Sequence, residues 1–247
     1  MPPDVRPAAA GPDPTVDLLS EQQAYYRLRA PEYDEWWQRR GRYDRGEEAT
    51  LEWERQVEEL TAALGQFGAT GEVLELAGGT GWWTARLAET AARLTVVDGS
   101  PEAIDLNRRR VGTRTDVSYV VADLFEWRPE RPYDVVFFSF WLSHVPTNRF
   151  AAFWRLVGSC LAPGGRVFFI DNRLDPSLTV DDPYTISHDR GVQRRRLSDG
   201  SEHRVVKLFY EPVELTDLLG QVGWHAEVDG TRWFIYGTAR PEVSSTG

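Results

Sequence analysis

"VLELAGGTGWWT", residues 73–84, decides how this chain folds. An apolar pair leads into Glu75, a glycine cluster follows, and two tryptophans come directly after it. The apolar opening reads as a buried strand, the glycines as a turn that brings backbone close to a ligand, and the residues from Thr80 as a helix. Gly79 and Gly81 stand at the spacing of a dinucleotide-binding turn, but the place of its third glycine is held by Thr84. Glu75 adds negative charge where a diphosphate would be repelled, so the turn is expected to serve a ligand with an ammonium or sulfonium group. Trp82 is expected to wall a pocket and Trp83 to enter the core.

Outward from this turn the pattern repeats. The short apolar runs "EVLEL", "LTVVD", "VSYVVA", "DVVFFSF" and "RVFFID" alternate with helical segments that open at Thr80, Pro101 and Thr147. Strands that are apolar throughout are buried on both faces, as in a parallel sheet flanked by helices. The fold class is α/β, a doubly wound, mostly parallel sheet with helices on both faces. Before Gly71 the text is helical: "TVDLLSEQQAYYRL", then "EEATLEWERQVEELTAAL", with Leu51, Val57, Leu60 and Leu64 at roughly helical spacing. "DPSLTVDDPYTIS" reads as loop, and "GVQRRRLSDGSEHRVVKLFY" as two strands around "SDG", an inserted β-hairpin. "EPVELTDLLGQVGW" starts a last helix, and "WHAEVDGTRWFIYGTAR" gives a closing antiparallel pair with an antiparallel last strand. The expected organisation is a disordered lead over residues 1–14, one domain over 15–240 and a tail over 241–247. Within the domain, 15–67 forms an N-terminal helical cover and 174–210 a substrate-site insertion.

The 28 basic and 38 acidic side chains give a net charge of −10, which argues against a nucleic-acid partner. A single cysteine, Cys160, excludes an internal disulfide framework and fits a reducing, cytoplasmic location. No apolar run approaches the ~20 residues of a membrane span. "MPPDVRPAAAGPDP" has neither the charged nor the apolar region of a secretory signal. No metal and no membrane partner are expected, and a homodimer is the assembly kept in view.

Two further acids close strands. Asp98 ends "LTVVD", where a carboxylate can accept from both hydroxyls of a ribose, and Asp123 ends "VVAD", where it can accept from an adenine amino group with Leu124 packed on the ring. The bland alternative is that these aspartates cap helices, Asp98 lying just before "SPEAI". The set "ELAGGTG", "VVDGS", "VVADLF", "YDVVFFSFWLSHVP" and "LAPGGRVFFID" resembles the class I S-adenosylmethionine-dependent methyltransferases over residues 71–172. The resemblance implies a Rossmann-like fold and S-adenosylmethionine as cofactor. It places that cofactor on Glu75, Ala77, Gly79, Gly81 and Trp82, then on Asp98, Gly99 and Ser100, and on Asp123, Leu124 and Ser139. Ala77 departs from the family's usual glycine. Together "YYRLRAPEYDE", "GTGWWT", "FWLSHVPTNRFAAFW" and "DGSEHRVVKLF" are similar to the bacterial phosphonate O-methyltransferases of dehydrophos biosynthesis. What this implies is methyl transfer to an oxygen of a small phosphonate, in natural-product biosynthesis.

A phosphonate is anionic at neutral pH, so its oxygen needs positioning by cations more than deprotonation, and Arg offers bidentate geometry. A phenol or amine acceptor calls for a general base instead, histidine being the commonest. With a three-residue loop of Ser198, Asp199 and Gly200, the hairpin puts Arg195, His203 and Lys207 on one face and Arg194, Arg196 and Arg204 on the other. A two-residue Asp199-Gly200 turn groups Arg195 with Arg204 instead. The resemblance favours Arg195 and Lys207 as anion ligands, in keeping with the longer loop; a solvated, charge-rich hairpin is the alternative. His144 follows the fourth strand, as acceptor contact or base, with Phe140 and Trp141 as walls beside it; a hydrogen-bonded structural histidine is the alternative. Tyr25, Arg29 and Tyr33 share a helical face, expected to cover the cofactor's amino-acid end, or simply to pack. Tyr43 is an expected phosphonate contact. Catalytic roles thus fall to His144, Arg195 and Lys207, and acceptor binding to Tyr43, Trp141, His144, Arg195, His203 and Lys207. The other readings are a carboxylate, phenol or amine methyltransferase, and a cofactor-binding protein without methyl transfer.

Overall fold

A computed structural model describes residues 14–174, 185–189 and 191–242. The expected lead before residue 14, residues 243–247 of the tail and residues 175–184 of the expected loop lie outside the described residues.

Among the described residues, seven strands form the main sheet in the order β3-β2-β1-β4-β5-β10-β9. They are β1 (Gly71–Leu76), β2 (Ala91–Asp98), β3 (Val117–Val121), β4 (Tyr133–Ser139), β5 (Leu161–Asn172), β9 (Trp224–Gly230) and β10 (Phe234–Pro241). The first five pair in parallel, and β10 is antiparallel to both β5 and β9. The strand order reverses between β1 and β4, which opens a crevice at their carboxyl ends.

The continuous apolar runs have the expected cause. Along β4, Val136 and Phe138 enter one core cluster with Leu74, Leu76 and Trp154, while Val135 and Phe137 enter a second with Val73, Leu60 and Trp83. Successive side chains feed opposite faces, and both faces are covered by helices. Each such large apolar side chain contributes about 1.5–3 kcal/mol by leaving water.

The helices are α1 (Pro14–Arg29), α2 (Tyr33–Trp37), α3 (Glu47–Phe67), α4 (Trp82–Leu87), α5 (Pro101–Val111), α6 (Phe150–Cys160) and α7 (Pro212–Gln221). Gly68, left-handed at φ +70°, ends α3 by donating to Leu64 O. The buried stripe of α3 is Trp53, Gln56, Leu60, Leu64 and Phe67, so it lies off the one read from the leucines. Leu51 is 59% exposed because it points away from the sheet. Ser100, not Asp98, caps α5: its hydroxyl accepts from Ala103 N at 3.1 Å, with Pro101 in the first turn. Helix α4 starts two residues later than expected, at Trp82, with Gly81 at φ +92° as its cap.

The insertion is a three-stranded antiparallel sheet rather than a hairpin: β6 (Thr185–Asp189), β7 (Val192–Arg196) and β8 (Glu202–Val206), in that order. The segment read as loop therefore ends in a strand, β6, paired along β7. The loop between β7 and β8 is Ser198, Asp199 and Gly200, closed by Leu197 N donating to Ser201 O at 2.9 Å, with Gly200 at φ +85°. Arg195 pairs with His203 and Arg194 with Arg204. Strand β8 has an open edge, and α1 covers it: Arg204 N donates to Glu21 Oε1 at 2.6 Å and Val206 N to Gln22 Oε1 at 2.9 Å. The cover and the insertion are thus one assembly on top of the crevice.

Candidate active site

Two adjoining chambers occupy the crevice. The first holds about 930 Å³, open mouth included, and runs from the glycine turn past the ends of β2 and β4 to α1. The second holds about 810 Å³ on the same measure, between the cover and the inserted sheet. Tyr26, Arg29, Tyr33, Phe140 and His144 line both, so they form the common wall.

Ala77, Gly79, Asp98, Gly99, Ser100, Asp123, Leu124 and Ser139 all line the first chamber. Ala77 is left-handed at φ +55°, a conformation costly for any residue with a Cβ, and it holds the turn open at the family's glycine position. Gly79, at φ +52°, has only Ala77 O, 4.0 Å away, near the place a Cβ would occupy, so its backbone is bared to the chamber. Its N–H donates to Asp98 Oδ2 at 2.9 Å, and Ser100 N donates to Asp98 Oδ1 at 2.8 Å. Burial pushes the Asp98 carboxyl up, against the backbone N–H groups of Ser100, Gly79 and Gly99 that hold it down. Each oxygen keeps a lone pair for a further donor, as a ribose diol supplies. Asp123 takes Gln23 Nε2 on Oδ2 at 2.8 Å and Phe125 N on Oδ1 at 2.9 Å, which ties the cover to the end of β3. The chamber thus combines bare turn backbone, a fixed carboxylate after β2 and an apolar floor at Leu124 and Phe125, which fits a nucleoside with a charged tail.

Several expected contacts fall elsewhere. Glu75 does not face the chamber. It is 1% exposed, accepts from Thr84 Oγ1 at 2.5 Å, and burial pushes its carboxyl up to about 8. The cause is strand phase: position 75 points behind the turn, toward Thr84 and Asn107. Gly81 answers a different need as well, since a Cβ there would meet Asn107 at 2.8 Å. Trp82 is no pocket wall. Its Nε1 donates to Asp34 Oδ1 at 2.9 Å and Arg110 lies 3.9 Å over its ring, whereas Trp83 is buried in the core as expected. Trp141 lines the first chamber beside Phe125 and not the second. Tyr25 belongs to the second chamber and not the first, because its face of α1 turns toward the inserted sheet, against His203; Tyr26, one step round the helix, takes the common wall instead. His203 shares the face of Arg195 and Lys207, but it sits near the hairpin tip, bonded to Ser201 Oγ at 3.0 Å and set against Tyr25 outside the lining.

The second chamber is cationic. Arg29, Arg39, Arg45, Arg195 and Lys207 line it, with Tyr25, Tyr43 and Asn172 among the other polar groups and, among the described residues, no carboxylate in the lining. Buried Gln193 fixes Arg195, accepting from Nε at 3.0 Å and Nη2 at 2.7 Å. Lys207 is 3% exposed; its Nζ donates to Ser143 Oγ at 2.8 Å and Asn172 Oδ1 at 3.0 Å, and Asp171 stands at 3.6 Å. Arg29 lies over the rings of Tyr25 and Tyr33, at 5.8 and 5.3 Å. Arg39, Arg45, Tyr26 and Asn172 were not singled out from the sequence; only Arg39 and Arg45, in "RRGRYDR", carried a signal, a local charge run.

His144 is not placed to act as a base. Nδ1 lies 2.5 Å from Val206 O, a pure acceptor, so Nδ1 carries the proton; Nε2 accepts from Tyr26 OH at 2.7 Å. Burial, then the Lys207 and Arg195 cations, hold the ring well below the usual histidine range. A neutral imidazole with both nitrogens engaged positions the Tyr26 hydroxyl.

Burial pulls Lys207 from 10.5 down to about 8. Acceptor affinity should therefore fall as pH rises through that value, because the deprotonated amine no longer attracts an anion. A pH profile of kcat/KM for an anionic acceptor should show this limb, and Lys207→Met should remove it together with most of the activity. Stability moves the other way. Between about 8 and 10.5 the unfolded chain binds the proton and the folded one does not, so this group's contribution to stability rises with pH there.

Asp34, in α2, docks the cover on the glycine turn. It accepts from Thr80 Oγ1 at 2.7 Å, from Trp82 Nε1 at 2.9 Å and from the Arg110 guanidinium.

Residues 73–165 match the family model described as "Methyltransferase domain". Two solved structures of DhpI, described as a DhpI–SAH complex and a DhpI–SAM–HEP complex, are 39% identical to this chain. Each match covers 91% of this chain, with 97% and 98% of DhpI and TM-scores of 0.72 and 0.73. This chain belongs to the class I S-adenosylmethionine-dependent methyltransferases. The methyltransferase is also 34% identical over 125 residues to nodulation protein S of Rhizobium tropici, covering 48% of this chain and 50% of that protein. The chain thus spans about half the length of the curated relatives it matches. The cofactor of the methyltransferase is S-adenosylmethionine, and the sheet order above is its Rossmann-like framework. No helix among the described residues is long and apolar enough to cross a membrane.

Proposed function

We propose that this methyltransferase transfers its methyl group to an oxygen of a small phosphonate or similar acid. The observation that carries this reading is the acceptor chamber itself: among the described residues its lining holds five cationic side chains and no carboxylate, and one wall joins it to the chamber we assign to the cofactor. Bound S-adenosylmethionine supplies an electrophilic methyl group on a sulfonium sulfur. On this reading Asp98 holds the ribose, and Arg29 with Tyr33 closes the cofactor's charged end against the acceptor. Arg195 and Lys207 grip two oxygens of the anion and leave a third toward the common wall. The acid is already ionised, so no proton has to leave at the reacting oxygen, in keeping with a His144 that has no free lone pair. Tyr33 and Phe140 screen the junction from water. A DhpI structure described as a complex with both SAM and HEP supports a methyl donor and a second small molecule held together in this architecture.

The test is incubation of the purified protein with S-adenosylmethionine and a panel of small phosphonates, carboxylates, phenols and amines, with products read by mass spectrometry. Methyl esters of phosphonates are expected at rates at least about tenfold above those of carboxylates, because the cationic chamber favours a dianion. Product from phenols or amines alone would overturn the reading, as would an absence of any methylated product.

A further inference from the structure

A third hollow shares Phe125 with the cofactor chamber but lies outside it, between α6 and the segment that joins β3 to β4. It holds about 830 Å³, open mouth included. Small-molecule sites span roughly 300–1,000 Å³, so the size fits one. Neither the methyl donor nor the acceptor is assigned to it.

Helix phase builds one side of it. Ala152, Arg155 and Ser159 recur at three- and four-residue spacing and make an exposed face of α6, flanked by the buried side chains of Phe153 and Leu156. Arg149 enters from the 3-10 turn before α6, and Phe125 and Arg128 from the segment after β3. The lining thus combines an apolar surface with three guanidinium groups. Among the described residues no carboxylate belongs to it, and none of the three arginines makes an ion pair. Elsewhere, surface arginines of this acidic chain do meet carboxylates, Arg55 with Glu52, Arg114 with Asp116 and Arg173 with Glu211. Arg128 spends Nη1 on Trp127 O at 2.7 Å and Phe125 O at 3.2 Å, which sets its direction. Arg149 lies 4.9 Å over the Phe125 ring, a contact that uses none of its N–H groups, and the Arg155 side chain has no hydrogen bond. Guanidinium groups gathered around one hollow repel each other. An anion with an apolar body removes that repulsion and takes the apolar surface out of water in one step.

We infer that this hollow binds a small amphiphilic anion, a carboxylate, sulfonate or phosphoryl group on an aromatic or aliphatic body, as a ligand distinct from both cofactor and acceptor. The body covers Phe125, Ala152 and Leu156, and the acid is held by the arginines around them, whose forked donors match its paired oxygens. The site stands apart from the phosphonate reading, since it uses no residue of the acceptor chamber.

Isothermal calorimetry on the full chain loaded with S-adenosylhomocysteine tests this. The probes are 2-naphthoate, the neutral 2-naphthamide and inorganic phosphate. Naphthoate should bind at least about tenfold tighter than either of the others, a difference of about 1.4 kcal/mol. Arg149→Gln and Arg155→Gln should each weaken it at least about threefold, and the double variant should bring naphthoate and naphthamide to within about twofold of each other. Arg155 is exposed and its side chain bonds nothing, so its variant keeps the test valid if loss of Arg149 disturbs folding. The acceptor chamber is cationic as well, and Arg195→Gln identifies binding there: naphthoate affinity should not move with that substitution. Naphthoate that fails to bind, or binds no tighter than naphthamide or phosphate, would overturn the inference. So would binding that falls with Arg195→Gln and is kept in both Arg149→Gln and Arg155→Gln.

Discussion

Replacing Arg195 by Gln is expected to lower kcat/KM for a phosphonate acceptor by about 100-fold or more, while leaving the affinity for S-adenosylhomocysteine within about threefold. The size follows from the site. Truncating one partner of a buried, hydrogen-bonded charge pair costs about 2–5 kcal/mol, and each 1.36 kcal/mol is a factor of ten in rate. The selectivity follows from placement: Arg195 lines the second chamber and not the first. Two of its donors are spent on Gln193, which sets the guanidinium plane, so Arg195→Lys should recover only part of the loss because an ammonium lacks the bidentate fork. Steady-state kinetics with calorimetry on the same preparations checks both halves. An unchanged KM would remove Arg195 from the acceptor site.

Asp98→Ala is expected to have the opposite signature. The dissociation constant for S-adenosylhomocysteine should rise at least about 100-fold, as the loss of two hydrogen bonds to a charged group at about 1.5–3 kcal/mol each implies, whereas the acceptor site keeps its residues. Asp98 also holds Gly79 N and Ser100 N, so part of the loss reaches the turn itself. Asp98→Asn separates the two effects: its amide oxygen can still accept one bond, and thermal unfolding should stay close to the unmodified protein while affinity drops by roughly tenfold. Affinity within about threefold in both variants would displace the ribose from this carboxylate.

How legible this was in the sequence depended on the kind of physics involved. The sheet was readable because burial on both faces makes the central stretches of β1, β4 and β5 runs of consecutive apolar residues, Val135–Phe138 and Val167–Ile170 among them. Asp98 and Asp123 were readable as strand-end acids for the same reason. The register of β7 and β8 stood between a three-residue loop and a two-residue Asp199-Gly200 turn, both of which suit Gly200, and the structure has the three-residue loop. Orientation near the turn was not readable. Glu75 and Trp82 are adjacent to the chamber in sequence, but strand phase turns one behind the turn and a bond to Asp34 draws the other aside. On α1 a single residue step rotates a side chain by about 100°, so Tyr26 reaches both chambers while Tyr25 reaches only the second. Arg39 and Arg45 lie in a segment without periodicity, where residue type alone says little about direction.

The origin of the two chambers has an evolutionary consequence. Asp98, Gly79, Asp123 and Ser139 sit on the tips of strands whose lengths and register are set by the core. The cationic lining of the acceptor chamber comes from segments added to that core, the cover and the inserted sheet, and these meet the core where Lys207 bonds Asn172 and Ser143. Changes in the additions can retarget the enzyme while the sheet that folds the protein and holds its methyl donor is inherited untouched. Lineages descending from such a protein are expected to vary in acceptor far sooner than in cofactor.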